Sequence, residues 1–156
     1  MMADDFVDLT YAKSGGYLEA LQSIVAAGVC PFCPEHFNWH PNPILRRSRG
    51  WLLTESMQPY EGAARHYLLI CQTHKESLAE LGNSDMLEVL QLSRHATQLY
   101  AAELGVHSEA VGGGLMFRFG DTRHTGATVK HLHAHVIFPQ IDPASERAVP
   151  VYFPIG

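Results

Sequence analysis

The sequence predicts an α+β domain, with helices packed on one face of an antiparallel sheet. Two stretches carry apolar residues at helical spacing, and the runs of strand length outnumber them. Several connections between those runs are short enough for antiparallel pairing. The 156 residues fit a single domain with a sizeable core. Residues 1–15 are expected to be flexible, 16–139 to form the core and 140–156 a C-terminal tail.

Each element follows from its residues. Gly16 to Ala27 places Leu18, Leu21, Ile24 and Val25 at helical spacing, with Gly28 as a C-cap. Four prolines between Cys30 and Pro43 require a loop. Ile44 to Glu55 reads as one or two strands around Gly50, and Gln58 to Gly62 as a turn. His66 to Cys71 is a short apolar strand. A long helix covers Asp85 to Leu104, with Ser84 as its expected N-cap. Leu115 to Phe119 is a strand, Asp121 to Thr128 a polar turn, and Val129 to Phe138 the last core strand. The tail ends in an irregular apolar segment, Val151 to Phe153.

Composition narrows the function. The apolar fraction of 46% and charged fraction of 17% argue against disorder. A net charge of −5, with no basic run beyond Arg46, Arg47 and Arg49, argues against long nucleic acid. Small phosphorylated ligands fit better. The acidic N-terminus has no apolar leader, and no stretch approaches a membrane span, so a cytoplasmic protein is expected. Three cysteines, two of them as C-x-x-C, suit metal or redox use in a reducing compartment.

Histidine is the outlier, with 10 copies. In His131-Leu132-His133-Ala134-His135-Val136 the three imidazoles alternate, so on a strand they share one face and the apolar residues the other. A solvated polar face would mix residue types. One metal held by all three is disfavoured, because strand residues four apart lie about 13 Å from each other. Their roles are therefore expected to be divided. A neutral imidazole is a nucleophile suited to phosphoryl or nucleotidyl transfer, and a neighbouring one can donate to phosphate oxygens.

The run His131 to Ile137 resembles the H-φ-H-φ-H-φ-φ signature of the histidine triad superfamily, φ being an apolar residue. Gly126-Ala127-Thr128-Val129 stands where that family has Gly-Gln-(Ser/Thr)-Val, and His66 to His74 resembles its H-φ-φ-φ-φ-P-x-x-H block. The likeness runs from about Cys30 to Pro139. It implies a five-stranded antiparallel sheet with two helices, usually in a homodimer. It also implies chemistry at the α-phosphorus of a nucleotide conjugate, such as a nucleoside phosphoramidate or dinucleoside polyphosphate. By position, His133 would be the nucleophile that becomes nucleotidylated, and His135 would contact phosphate oxygens. Thr128 matches the hydroxyl residue near the leaving group. Gly126 and Ala127 would offer backbone N–H groups to phosphate, and His66 matches a histidine beside the triad in some members. Phosphorylase, sugar-phosphate nucleotidylyltransferase and non-catalytic adaptor are the alternative activities.

The chain departs from the pattern in two places. Ala127 replaces the glutamine, and Gly120-Asp121 stands where the family has asparagine. Arg118, Arg123 and His124 lie nearby in sequence and could supply positive charge. Phe32, Trp51 and Tyr60 are candidates for a base pocket, with core positions as the alternative. Glu55 is a candidate for a ribose contact.

Cys30-Pro31-Phe32-Cys33 follows a helix rather than starting one, which fits redox use poorly. Two thiolates need two further ligands for a closed tetrahedral zinc. Relatives of the galactose-1-phosphate uridylyltransferase branch share the C-x-x-C. The resemblance then implies His74 and His131 as the remaining ligands of a structural zinc, with His36 the competitor for the place of His74. No organic cofactor is expected.

Overall fold

The computed structural model describes residues 6–12 and 15–156. Helix α1 spans Gly16–Ala27 and stops where Gly28 turns left-handed at φ 65°, returning its N–H to the Ile24 and Val25 carbonyls. Strands β1 (Ile44–Arg47), β2 (Trp51–Glu55) and β3 (Ala63–Cys71) form a meander. Helix α2 covers Asn83–Leu104. Strand β4 (Gly114–Phe117), the one-turn helix α3 (Thr122–Thr125) and strand β5 (His133–Pro139) follow. The five strands pair in the order β1-β2-β3-β5-β4, every neighbour antiparallel. A small hairpin of β6 (Ile141–Asp142) and β7 (Arg147–Ala148) lies in the tail.

The sheet has two unlike faces. On one, Trp51, Leu53, Leu69, Cys71, Ala134, Val136 and Phe138 pack against Val89, Leu92, Ala96 and Tyr100 of α2. Leu92 is 2% exposed, and burying such a side chain contributes about 1.5–3 kcal/mol. On the other face, Leu52, Leu68 and Ile70 pack with Phe32, Phe37 and Ile44. The period of two sets His66, His133 and His135 on this second face. The register pairs Leu68 with His135 and Ile70 with His133.

Several boundaries differ from the sequence reading, each for a local reason. Helix α2 starts at Asn83, one residue before the expected cap Ser84, because the Asp85 carboxylate accepts from the Gly82 N–H at 2.8 Å. Strand β5 starts at His133 rather than Val129. The amides before it are committed elsewhere, Lys130 N–H to the Phe6 carbonyl and Leu132 N–H to the Lys75 carbonyl. His131 therefore precedes the strand, and only His133 and His135 lie within it. Strand β4 ends at Phe117, short of Phe119, and the polar turn after it contains α3. The tail is not irregular throughout, since β6 and β7 pair.

Part of the N-terminal stretch expected to be flexible is docked. Val7 bridges Val129 and packs with Leu21 and Ile24 of α1, while the Asp8 N–H donates to the Thr128 carbonyl. Residues 1–5, 13 and 14 lie outside the described residues. Among the described residues no helix is long and apolar enough to cross a membrane.

Candidate functional site

The histidine face opens into a cavity of about 260 Å³. His133, His135, His66 and Thr128 line it, with Phe32, Tyr60 and Arg118 among their neighbours. Strands β3 and β5 supply the imidazoles, and the segment after α3 supplies Gly126 and Thr128. The central strand pair thus holds the imidazoles, and loops close the walls.

Backbone partners fix the two strand histidines in opposite tautomers. His133 Nδ1 lies 2.8 Å from the His131 carbonyl, which can only accept, so Nδ1 carries the proton and Nε2 the lone pair. For His135 the order is reversed. The Tyr60 N–H donates to His66 Nδ1 at 3.2 Å, so His66 carries its proton on Nε2. His66 Nε2 lies 2.9 Å from His135 Nδ1, which must then accept. His135 is left protonated at Nε2, a buried nitrogen with no partner among the described residues. One ring offers a nucleophile and the next offers a donor.

Burial keeps these rings neutral. It pushes His133 down to about 4 against the bond to the His131 carbonyl, and the Arg118 charge adds to the shift. His135 is pushed well below its ordinary value by burial first, then by its neighbours His133 and His66.

His131, which shares the Phe32 ring with His133, is committed to the cysteine pair instead. Its Nε2 donates to the Cys71 carbonyl at 2.6 Å, which leaves Nδ1 as a ligand atom. That atom lies 3.2 Å from Cys30 Sγ, 3.8 Å from Cys33 Sγ and 3.2 Å from His74 Nδ1. His74 Nδ1 is 3.5 Å from Cys33 Sγ, and its Nε2 meets the Glu76 carboxylate at 2.9 Å. The four ligand atoms all lie within 4.8 Å of one another. A tetrahedral zinc with two sulfur and two nitrogen ligands has edges of about 3.3–3.8 Å. Both imidazoles are also oriented from behind by an acceptor. Burial pushes the Cys33 thiol up to about 12 and raises Cys30 as well. A divalent cation would invert that balance. The cluster thus fits zinc in donor type, spacing and outer contacts.

The other residues named from sequence divide. Thr128 lines the cavity, and its Oγ1 lies 3.0 Å from the Tyr17 hydroxyl. Gly126 lines it too, but its N–H closes α3 onto the Thr122 carbonyl at 2.8 Å and is not aimed at a ligand. Ala127 is buried, with its N–H on Thr125 Oγ1. Phe32 and Tyr60 are walls of the cavity, whereas Trp51 belongs to the core under α2. Glu55 sits 4.0 Å from Arg65, and Arg123 binds Asp121. His36 is absent from the cysteine cluster.

Some lining residues were not singled out from sequence. Tyr17, Ser56 and Pro154 carry no motif, whereas Gln58 opens the Gln58-Pro59-Tyr60 turn that resembles the family's polar-x-Pro turn. Phe153 reaches the site through the tail, its ring 5.0 Å from His135 and 5.9 Å from Tyr60. The apolar end Val151 to Phe153 was the available signal.

Comparison with solved structures gives the same fold. A hypothetical protein from Leishmania major is 24% identical with TM-score 0.57, over 83% of this chain and 82% of that one. A zinc-bound histidine triad family protein from Mycobacterium smegmatis is 20% identical with TM-score 0.55, over 78% and 83%. A histidine triad nucleotide-binding protein from Candida albicans is 19% identical with TM-score 0.57, over 82% and 85%. No curated protein matches the chain in sequence. The family model described as scavenger mRNA decapping enzyme C-term binding matches residues 30–148, which include both the cysteine pair and the triad. The chain therefore belongs to that family and carries the histidine triad fold.

Proposed function

We propose that the protein is a nucleotide hydrolase or nucleotidyltransferase acting at the α-phosphate of a nucleotide conjugate, with His133 as the nucleophile. The observation that carries this reading is the pair of opposite tautomers at His133 and His135 on one cavity wall. His133 Nε2 attacks phosphorus and forms a nucleotidyl-histidine, while the Nε2–H of His135 donates to a phosphate oxygen as charge builds there. Thr128, held by Tyr17, handles the proton at the leaving-group side. Water or another acceptor then releases the nucleotide. His66 positions His135 rather than touching substrate. The family to which the chain belongs and the nucleotide-binding relative support a nucleotide ligand.

Cys30, Cys33, His74 and His131 would hold a structural zinc, which supplies a crosslink and no open coordination position. The zinc-bound relative supports this assignment.

A panel of nucleoside phosphoramidates, dinucleoside polyphosphates, cap-type dinucleotides and sugar nucleotides tests the activity. Turnover of a panel member should fall by about 10³-fold or more in His133→Ala, with the far-ultraviolet spectrum unchanged. Label from the α-phosphate should be trapped on His133. A His133→Ala variant within tenfold of the unsubstituted protein would remove this residue from the chemistry.

A further inference from the structure

Arg118 follows β4 and reaches the same cavity as His133 and His135. Among the described residues no acidic side chain lines that cavity, although the chain as a whole carries a net charge of −5. Among the described residues the guanidinium has no carboxylate partner either. It is held by neutral groups. Nη2 donates to the Tyr60 hydroxyl at 3.0 Å and Nη1 to the Pro154 carbonyl at 3.4 Å. Its carbon lies 5.1 Å from the centre of the Phe153 ring. The Nε atom is buried and has no partner among the described residues. A buried guanidinium donor without an acceptor is costly, and an anion is the natural way to satisfy it.

The position along the substrate follows from the rings between. Tyr60 stacks on His135 at 5.8 Å and Phe153 meets it edge-on at 5.0 Å. Arg118 touches both of those rings, so its charge stands one aromatic layer from the His135 donor. His133 and His135 account for one phosphate. A fixed cation beside them fits the next phosphate along.

We propose that Arg118 is a specificity-determining residue that binds the phosphate of the leaving group, so that the site selects conjugates with at least two linked phosphates. This rests on the reading of the site given above. As the bond from His133 Nε2 to the α-phosphorus forms, the bond to the bridging oxygen breaks. That oxygen keeps the electron pair and departs with the second phosphate, whose charge Arg118 neutralises. Water later delivers hydroxide to the α-phosphorus, releases a proton and frees the imidazole. Tyr60, Phe153 and Pro154 act as positioning residues for the guanidinium.

Two readouts keep the two claims apart. The first is binding of ADP against AMP, and GDP against GMP, to the full chain and to Arg118→Ala, Arg118→Lys and Tyr60→Phe. The unsubstituted protein should prefer the diphosphate, and that ratio should fall about tenfold or more in Arg118→Ala. Arg118→Lys should recover part of it, since the charge stays but the planar fork is lost. Tyr60→Phe should lower it less. The second readout is kcat/KM for a dinucleoside triphosphate against a nucleoside phosphoramidate. Arg118→Ala should lose at least about tenfold more on the triphosphate. Equal losses on both substrates, or no diphosphate preference in the unsubstituted protein, would overturn the role of Arg118. A diphosphate preference that depends on Arg118 without any turnover would support Arg118 as the second-phosphate contact and defeat the hydrolase reading.

Discussion

At the residue scale, the contrast lies between two neighbouring imidazoles, with His133 bonded to a backbone carbonyl and His135 to the His66 ring. Spacing alone argued that one metal could not take all three triad histidines. What it could not show is that carbonyl and amide groups of the chain choose each tautomer. Those partners, the His131 carbonyl and the Tyr60 N–H, come from the backbone and carry no residue code. His66 is the sequence-visible link, since it joins Tyr60 to His135. His66→Phe should keep the fold but let His135 protonate at either nitrogen. Turnover should drop by about 10–100-fold, and the ring nitrogens of His135 should show mixed tautomers by nuclear magnetic resonance. Unchanged kcat with a single His135 tautomer would show that His66 has no positioning role.

His135 also sets an acid limit on the fold. Its folded pKa lies well below the ordinary histidine value of 6.5, chiefly through burial. The unfolded chain therefore binds the proton first. Stability is level above pH 6.5 and falls as the pH drops from there toward the folded pKa. Melting curves between pH 7.5 and about 5 should show this decline, and His135→Phe should make it shallower. A melting point that rises on acidification would contradict the assignment.

At the element scale, apolar periodicity located α1 and α2, and Gly28 marked the end of α1. Less visible were the boundaries decided by side-chain acceptors or by distant backbone. Asp85 is the clearest case. Its carboxylate accepts from the Gly82 N–H, from the Trp51 indole at 3.0 Å and from Lys75 at 3.1 Å. Burial would raise its pKa, but those three partners outweigh burial and lower it. The residue therefore ties the start of α2 to β2. Replacing Asp85 with Ala leaves a capped turn and a partly buried indole N–H without an acceptor. The cost should be about 2 kcal/mol, read from the urea midpoint at constant m. A change under 0.5 kcal/mol would show that the tie is not used.

At the whole-molecule scale, one sheet face packs against α2 and the other carries the histidine cavity, with the cysteine cluster next to it. Cys30 and His131 meet across 101 positions of sequence. The C-x-x-C spacing was legible as a metal signal, and the family resemblance named its two partners. Geometry brings those same residues together. The return of Phe153 and Pro154 to the site was legible only as an apolar end to the tail, because long-range packing with no periodic pattern brings them there. A cluster that closes so long a loop should stabilise strongly when metal-bound. A strong chelator, or Cys33→Ser, should lower the melting midpoint by about 10 °C and release about one zinc per chain. Purified protein without zinc, and insensitive to chelator, would refute the structural role.

Neighbouring strand histidines present opposite chemistry to one cavity. The direct measurement is long-range ¹H–¹⁵N correlation of the histidine side chains at pH 7. His133 should carry its proton on Nδ1 and His135 on Nε2, each as a single neutral tautomer. Both rings in the same tautomer, or His133 protonated on Nε2, would rule out His133 as nucleophile beside a His135 donor.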